Sequence, residues 1–275
     1  MKIRVPYTLT ADNSDNYEVS IRLWSDGISF SGFTPSERDS FFINTVRFEP
    51  DMPVFQSVKN VFFANQCLSY LYSSLSVLCV TERYSLVPMS VWSEKDKDLL
   101  FSYCHKKDDN MRVMAQRMKQ FDAMMLYDLD SETYEFLSRS LVNPRFVHFM
   151  TPSLSLWQKN SLMNYPKQMY VALGRNNMEI ACFEQGELLF LNSFAHDTEN
   201  DVLYYILYAC KQLNFNQLDD HVYFVGDSRR CQSIISLIKR YLAKAEYLPV
   251  RSHKFLLPED AGVSFDIIAL TECAL

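Results

Sequence analysis

The sequence is poor in the short motifs that mark many enzyme classes. Only 6 of its 275 residues are glycine, and it has no P-loop, G-x-G-x-x-G or G-x-S-x-G motif. It has no C-x-x-C or H-x-x-x-H pair, so the usual zinc spacings are missing. With 48% apolar residues and 10 prolines, the composition excludes collagen-like and low-complexity chains. The chain can therefore bury a large core.

Positive charge is also scarce. There are 27 Lys and Arg residues against 33 Asp and Glu, giving a net charge of −6. Nonspecific nucleic-acid binding needs a basic surface that neutralises phosphates, so we expect no nucleic-acid partner. The most basic positions, Arg229-Arg230 and Lys239-Arg240, are typical of a solvated helix face.

Long apolar runs are absent. The N-terminus lacks the apolar segment of a signal peptide, and the uncharged stretch 61–81 contains Asn65, Gln66 and several serines. That stretch predicts a buried helix and strand, so we expect no membrane span. The seven cysteines are odd in number and mostly lie in apolar runs, which predicts buried free thiols in a reducing compartment. We therefore expect a cytoplasmic protein.

The first half of the chain predicts a β-hairpin followed by a mixture of strands and helices. Residues 17–24 and 28–33 alternate around the turn signal Asp26-Gly27. Further strands are predicted at 41–48, 75–81, 84–87 and 121–127. Helices are predicted at 54–72, 93–105, 131–141 and 151–160.

The second half repeats the order of the first. Strands are predicted at 168–173, 178–183, 187–194, 221–225 and 246–250. Helices are predicted at 197–213 and 228–243, and the tail 264–275 fits helix or strand. The repeat is one of element order, with little residue identity. Three antiparallel strands followed by parallel strands predict mixed sheets with helices on their faces, an α/β fold with domains at 1–150 and 151–275.

This repeated order resembles the actin-like ATPase superfamily, which includes actin, the sugar kinases, the seventy-kilodalton heat-shock chaperones and the pilus-assembly protein PilM. The chain also resembles a bacterial domain-of-unknown-function family of that superfamily. The resemblance covers almost the full length and rests on element order. It implies two tandem ribonuclease H-like domains with phosphate-binding hairpins.

In that superfamily, hairpin N–H groups bind phosphate and an Asp at the end of the first strand holds Mg²⁺ through water. The positions that correspond here to nucleotide-binding residues are Asp26, Gly27, Gly174, Gly226, Asp227 and Ser228. The match is incomplete. Asp26 is out of register, the second turn carries Arg175 in place of an Asp, and Asp227 replaces a glycine with a carboxylate that repels phosphate. The alternative is an ordinary hairpin turn at Asp26-Gly27 and a helix N-cap at Asp227 or Ser228.

Two carboxylates lie at predicted strand ends, where open α/β sheets place ligands. Glu82 and Asp128, with Asp130 nearby, form a candidate metal site of the kind that ribonuclease H-like nucleases use. The alternative is a set of exposed loop carboxylates.

Three tyrosines lie away from the Leu/Ile stripe of the helix predicted at 197–213. Tyr204, Tyr205 and Tyr208 form a candidate partner surface, because tyrosine is common at interfaces. The alternative is packing against the other domain.

The incomplete phosphate motifs favour a non-catalytic module that binds or assembles with a protein partner and needs no cofactor. The alternative is a divergent ATP-binding switch or phosphotransferase that holds ATP and Mg²⁺ against residues 225–228. A metal-dependent nuclease that uses Glu82 and Asp128 is the third hypothesis.

Overall fold

The computed structural model describes residues 2–163, 166–257 and 262–273. Contacts within the chain divide it into two compact units. The first unit is Met1–Thr151 with Ser252–Val263, and the second is Pro152–Arg251 with Ser264–Leu275. The boundary predicted from the sequence, between residues 150 and 151, stays a prediction.

The first unit is built on a five-stranded mixed sheet with a three-stranded sheet inserted in the chain. Its elements are β1 (Glu18–Trp24), β2 (Gly27–Phe33), β3 (Phe42–Arg47), α1 (Val54–Ala64), β4 (Ser74–Cys79), β5 (Tyr84–Pro88), α2 (Lys97–Ser102), β6 (Met111–Met118), β7 (Ala123–Asp130), α3 (Ser131–Ser140) and β8 (Arg145–His148). Helix α4 (Met150–Ser161) follows, and most of it belongs to the second unit. The main sheet has the order β3-β2-β1-β4-β8, and the smaller sheet has the order β5-β7-β6. Strand β1 pairs antiparallel with β2 and parallel with β4.

The second unit has the same sheet without the insertion. Its elements are β9 (Gln168–Leu173), β10 (Asn177–Glu184), β11 (Glu187–Ala195), α5 (Glu199–Gln212), β12 (His221–Gly226), α6 (Ser228–Ile238), β13 (Lys244–Tyr247) and α7 (Phe265–Glu272). The sheet order is β11-β10-β9-β12-β13, with β9 antiparallel to β10 and parallel to β12. The prediction of a mixed α/β fold whose element order repeats is confirmed.

Local sequence explains how the second unit is packed. Helix α5 begins with a capping box in which the Thr198 side chain accepts from the backbone of Asp201 and Asp201 accepts from the backbone of Thr198. Its apolar stripe then buries Val202 and Ile206 in one core with Phe224 of β12. These side chains are completely or almost completely excluded from solvent, so burial of this stripe fixes α5 on the sheet.

Several element boundaries differ from the sequence prediction. Helix α1 ends at Ala64 instead of continuing to 72, because the Asn65 Nδ2 donates to the carbonyl of Val61 at 2.6 Å while its Oδ1 accepts from the N–H of Ile3 at 2.6 Å. A short 3₁₀ turn follows. Helix α6 ends at Ile238 instead of 243. Strands β6 and β8 were not predicted.

The tail of the chain is helical where it is described. Residues 265–272 form α7, which resolves the ambiguity between helix and strand for that stretch. Residues 274 and 275 of the predicted tail lie outside the described residues. Across 2–163, 166–257 and 262–273, no helix combines the length and the apolar character that a membrane crossing needs.

The cysteines are free thiols, and six of the seven are buried. Cys104 is the exposed one. Burial raises the pKa of the Cys79 thiol to about 12 and that of the Cys210 thiol to about 12, because the thiolate would lose its hydration. At neutral pH these two thiols are therefore protonated and behave as small apolar side chains.

Candidate functional site

At the turn of the first hairpin, between β1 and β2, a side chain of the hairpin itself packs on the turn glycine. Strand β1 ends at Trp24, which pairs with Gly27 across a two-residue turn. A Cβ atom on Gly27 would lie 2.5 Å from the Trp24 Cζ2, so the indole packs directly on this glycine. The guanidinium carbons of Arg22 and Arg47 each lie 5.4 Å from the Trp24 ring centroid.

The acidic residue of this turn already has a partner. The Arg47 Nη1 donates to Asp26 Oδ2 at 2.7 Å, and both side chains are more than half exposed. The end of β1, where the superfamily carries its magnesium aspartate, holds Trp24. The residues of the first hairpin therefore do not fit a magnesium–phosphate site of that kind.

In the second unit, the structure brings two of the predicted glycines together. Gly174 follows β9 and Gly226 ends β12, and these strands are paired so that Gly226 lies opposite Leu173. Gly226 has φ +133°, and a Cβ there would lie 2.5 Å from the Leu173 carbonyl oxygen. Only glycine meets both conditions without strain. The two strand ends thus approach closely in an exposed turn.

Asp227 caps helix α6. Its Oδ1 accepts from the backbone N–H of Arg230 at 2.9 Å, which satisfies one of the free N–H groups of the first turn. Arg230 also donates from Nη1 to the carbonyl of Gly174 at 2.7 Å, so it links the two turns. Ser228 is the first helical residue and is exposed. The Asp227 carboxylate lies where a phosphate would meet the helix N-terminus, so these residues do not fit a phosphate either.

The candidate metal residues lie in the first unit and differ in environment. Glu82 is exposed, whereas Asp128 lies within β7 and is 1% exposed. Arg83 Nε lies 2.7 Å from Asp128 Oδ2, and Thr81 Oγ1 donates to Asp128 Oδ1 at 3.2 Å. Asp130 instead accepts from the backbone N–H of Thr133 as the N-cap of α3.

The Arg83–Asp128 ion pair neutralises the carboxylate that a metal would need. In the parts of the chain that the structure describes, no three His, Cys, Asp or Glu side chains are placed to hold a metal ion together. A cavity of about 40 Å³ adjoins the pair and is also lined by Phe101 and His105. It has room for about two or three waters. Sequence reasoning missed Arg83, because nothing in the sequence marks it as the partner of Asp128.

The tyrosines of α5 form one surface with the outer strand of their sheet. Tyr204 is 61% exposed and Tyr208 is 50% exposed, with ring centroids 6.0 Å apart. Tyr205 is half-buried; its ring lies 5.3 Å from that of Tyr204 and 4.5 Å from that of Phe194 in β11. Phe190 continues the row at 6.3 Å from Phe194. These five rings, Phe190, Phe194, Tyr204, Tyr205 and Tyr208, are called the aromatic row below.

Comparison with known proteins adds a family and a fold. The family model described as "Protein of unknown function (DUF3822)" matches residues 6–245. No curated protein matches the chain.

The solved structures that are similar over almost the whole chain include the following two. A Bacteroides thetaiotaomicron protein, described as having an actin-like ATPase fold and unknown function, is 27% identical with a TM-score of 0.83, covering 97% of this chain and 99% of that one. The PilM–PilN type IV pilus biogenesis complex gives 8% identity and a TM-score of 0.56, covering 92% of this chain and 98% of that one. The fold is therefore that of the actin-like ATPases.

Proposed function

We propose that this chain, which belongs to the DUF3822 family, is a non-catalytic module that binds or assembles with a protein partner. The observation that carries the proposal is the first hairpin. Its Gly27 is covered by the Trp24 indole, and its Asp26 is paired with Arg47 at 2.7 Å. A nucleotide phosphate would have to displace the indole, and Mg²⁺ would have to compete with a guanidinium for the carboxylate.

The turn between β12 and α6 in the second unit supports the same function. The Asp227 carboxylate uses the first-turn N–H of Arg230, and Arg230 is itself held by the carbonyl of Gly174. An anion that approached the N-terminus of α6 would meet this carboxylate first. Fold and function are separate properties, and an actin-like fold without these sites still offers large surfaces for binding.

A protein is the partner that the surface chemistry favours. The aromatic row exposes tyrosine on an outer helix, and tyrosine is enriched in the centres of protein interfaces. The net charge of −6 disfavours nucleic acid. The PilM–PilN complex gives a precedent for protein binding by the same fold. We place the protein in the cytoplasm because its buried thiols are free.

The alternative is a divergent ATP-binding switch, and Gly226 is the observation that favours it. Its positive φ and its close approach to Leu173 keep the turn between β12 and α6 free of side-chain atoms. Backbone of that kind can approach a ligand closely. In this alternative ATP and Mg²⁺ bind beside Gly226 and Ser228.

Calorimetric titration of ATP, with and without Mg²⁺, distinguishes the two functions. We expect no saturable heat with ATP at millimolar concentration. Saturable binding at micromolar concentration that is lost in Gly226→Arg would overturn the non-catalytic proposal. The matched control is Thr45→Arg at an exposed position of β3, which adds the same side chain away from Gly226, and circular dichroism verifies that each variant is folded.

A further inference from the structure

Strand β11 is the outer strand of the second sheet, and a β-bulge near its start interrupts its register with β10. It is the last strand on one side of the second sheet, and in the described part of the chain its backbone pairs with β10 alone. It is nine residues long, and Glu187 at its start is its one charged residue. From Leu188 to Ala195 it contains neither proline nor charge. An edge strand of this kind is a template for another strand.

The other edges of the two five-stranded sheets are shorter than β11. Strand β3 has six residues and ends in Arg47. Strand β8 has four residues and begins with Arg145, and β13 has four residues that include Lys244 and Glu246. Short strands and charged side chains are the usual devices against edge-to-edge pairing. β11 is longer than these three strands, and its one charged residue, Glu187, stands at its first position.

The exposed aromatic row continues from this edge onto α5. Phe190 and Phe194 lie in β11 itself, and Tyr205 links them to the exposed pair Tyr204 and Tyr208. Among the described residues, no other strand pairs with the outer side of β11, although the Ser193 N–H donates to Asn192 Oδ1. The helix beside it offers two tyrosine rings that are at least half exposed. Both features occur on one continuous surface, so a single partner can cover them together.

We propose that the partner for this surface is a second copy of the chain, with β11 pairing antiparallel to β11 of the other copy. The pairing joins two five-stranded sheets into one of ten strands. Antiparallel pairing of identical strands places a two-fold axis perpendicular to the sheet, so the α5 helices lie side by side on the same face. This inference names the partner of the binding module proposed above and rests on that proposal.

Charge favours an identical partner in this orientation. In antiparallel β11 pairing, Glu187 of one copy lies near Ala195 of the other, and the two Glu187 carboxylates are about 27 Å apart. The α5 helices then also run antiparallel. The acidic first turn, with Glu199 and Asp201, faces the end that carries Lys211 in the other copy. The charges of the strand and of the helix therefore both favour the antiparallel arrangement. The dipoles of the two antiparallel α5 helices also attract each other.

Sedimentation equilibrium of the full chain tests the proposal directly. We expect a mass twice the 32.2 kDa of one chain at micromolar concentration. Asn192 is exposed in the middle of β11, and Asn192→Lys brings two positive charges together near the two-fold axis. We expect this variant to raise the dimer dissociation constant by about tenfold or more. Its matched control is Thr45→Lys, which adds a lysine at an exposed position of the edge strand β3 and leaves the dimer intact.

The aromatic row has its own variant. Tyr208→Glu places a charge on the helix without touching the strand, and we expect it to weaken the dimer as well. Tyr103 is 73% exposed at the end of α2 in the first unit, so Tyr103→Glu is the control that changes nothing. Hydrogen exchange gives a second readout, because amides on the outer side of β11 become protected only as concentration rises.

The outcomes are separable. A monomer at all concentrations overturns the dimer, as does a dimer that neither Asn192→Lys nor Tyr208→Glu weakens. Protection of β11 that is independent of concentration also overturns it. None of these results bears on ATP binding, so failure of the dimer and failure of the non-catalytic proposal are distinguished by the calorimetric titration.

Discussion

The two five-stranded sheets of this protein share one topology but differ in their turns and in their outer strands. Each has three antiparallel strands followed by two parallel strands, in the orders β3-β2-β1-β4-β8 and β11-β10-β9-β12-β13. In the first sheet, Gly27 in the turn between strands one and two is covered by the indole of Trp24. In the second sheet, Gly174 in the corresponding turn is exposed, and so is Gly226 at the end of β12.

The outer strands of the two sheets, β3 and β11, also differ in how far they are covered. In the first unit, the loop that leads into β3 is covered: Phe255 stacks on Phe41 with ring centroids 4.4 Å apart and is 1% exposed. Arg47 at the end of β3 is fixed by Asp26. In the second unit, the equivalent strand β11 is longer and half-exposed along most of its length. The two units therefore share a sheet topology, and they differ in the exposure of their hairpin turns and of their outer strands.

The largest expected effect tests whether the two sheets are independent cooperative units. Phe224 in β12 is fully buried in the core of the second unit, and Phe224→Ala leaves a cavity there. We expect a loss of about 3–5 kcal/mol in the free energy of unfolding. Hydrogen exchange read by mass spectrometry should show faster exchange within Pro152–Arg251 and unchanged exchange within Met1–Thr151.

The mirror experiment is Phe30→Ala in β2, which is also fully buried. We expect a loss of similar size with the exchange pattern reversed. If either variant accelerates exchange equally in both units, the chain unfolds as one cooperative unit. The two sheets then do not have separate free energies of unfolding.

The next effect sharpens the difference between the two turns. Gly226→Ala puts a Cβ 2.5 Å from a backbone oxygen at φ +133°, so we expect a loss of about 1–3 kcal/mol in the free energy of unfolding. In Gly27→Ala the Cβ would meet the half-exposed Trp24 side chain at 2.5 Å and the carbonyl oxygen of Val46 at 2.9 Å, but Gly27 does not have the positive φ of Gly226. Its loss should therefore be smaller than that of Gly226→Ala, by about 1 kcal/mol. Urea unfolding measures both, and an equal loss for the two would contradict the distinction.

Much of this fold is predictable because local signals agree with the tertiary structure. Asp26-Gly27 marks the β1–β2 turn, and the apolar stripe of α5 marks its buried face. Strand β8 has only four residues, and β6 lacks strict alternation, so neither has a local signal. They are strands because β4 and β7 offer them hydrogen-bonding partners. The sequence of such a strand does not by itself predict that it pairs.

The candidate site is less predictable than the fold. The sequence marks Gly226 and Asp227 as a turn and a cap, and the positive φ and the hydrogen bond to Arg230 agree with that description. It gives no signal that Trp24 covers Gly27, or that Arg83 pairs with Asp128, because both contacts depend on side-chain directions. Whether any of these residues binds a ligand stays a prediction.

The smallest expected effect concerns the buried thiol of Cys231, which lies in α6 close to the turn at Gly226 and Asp227. Burial, with a contribution from the Asp227 charge, raises the pKa of Cys231 from 9.0 to about 11. Because the unfolded chain releases this proton at lower pH than the folded one, the stability it contributes is complete below about pH 9 and is lost as pH rises toward 11. We therefore expect Cys231→Ala to flatten the alkaline fall in the free energy of unfolding by at most about 1.4 kcal/mol per pH unit. Urea unfolding at several pH values measures the slope, and Cys104→Ala, which removes the exposed thiol of the first unit, should leave it unchanged. Equal slopes for the two variants would mean that Cys231 is already solvated in the native state, and the turn at Gly226 and Asp227 would then be open to water down to the core of α6.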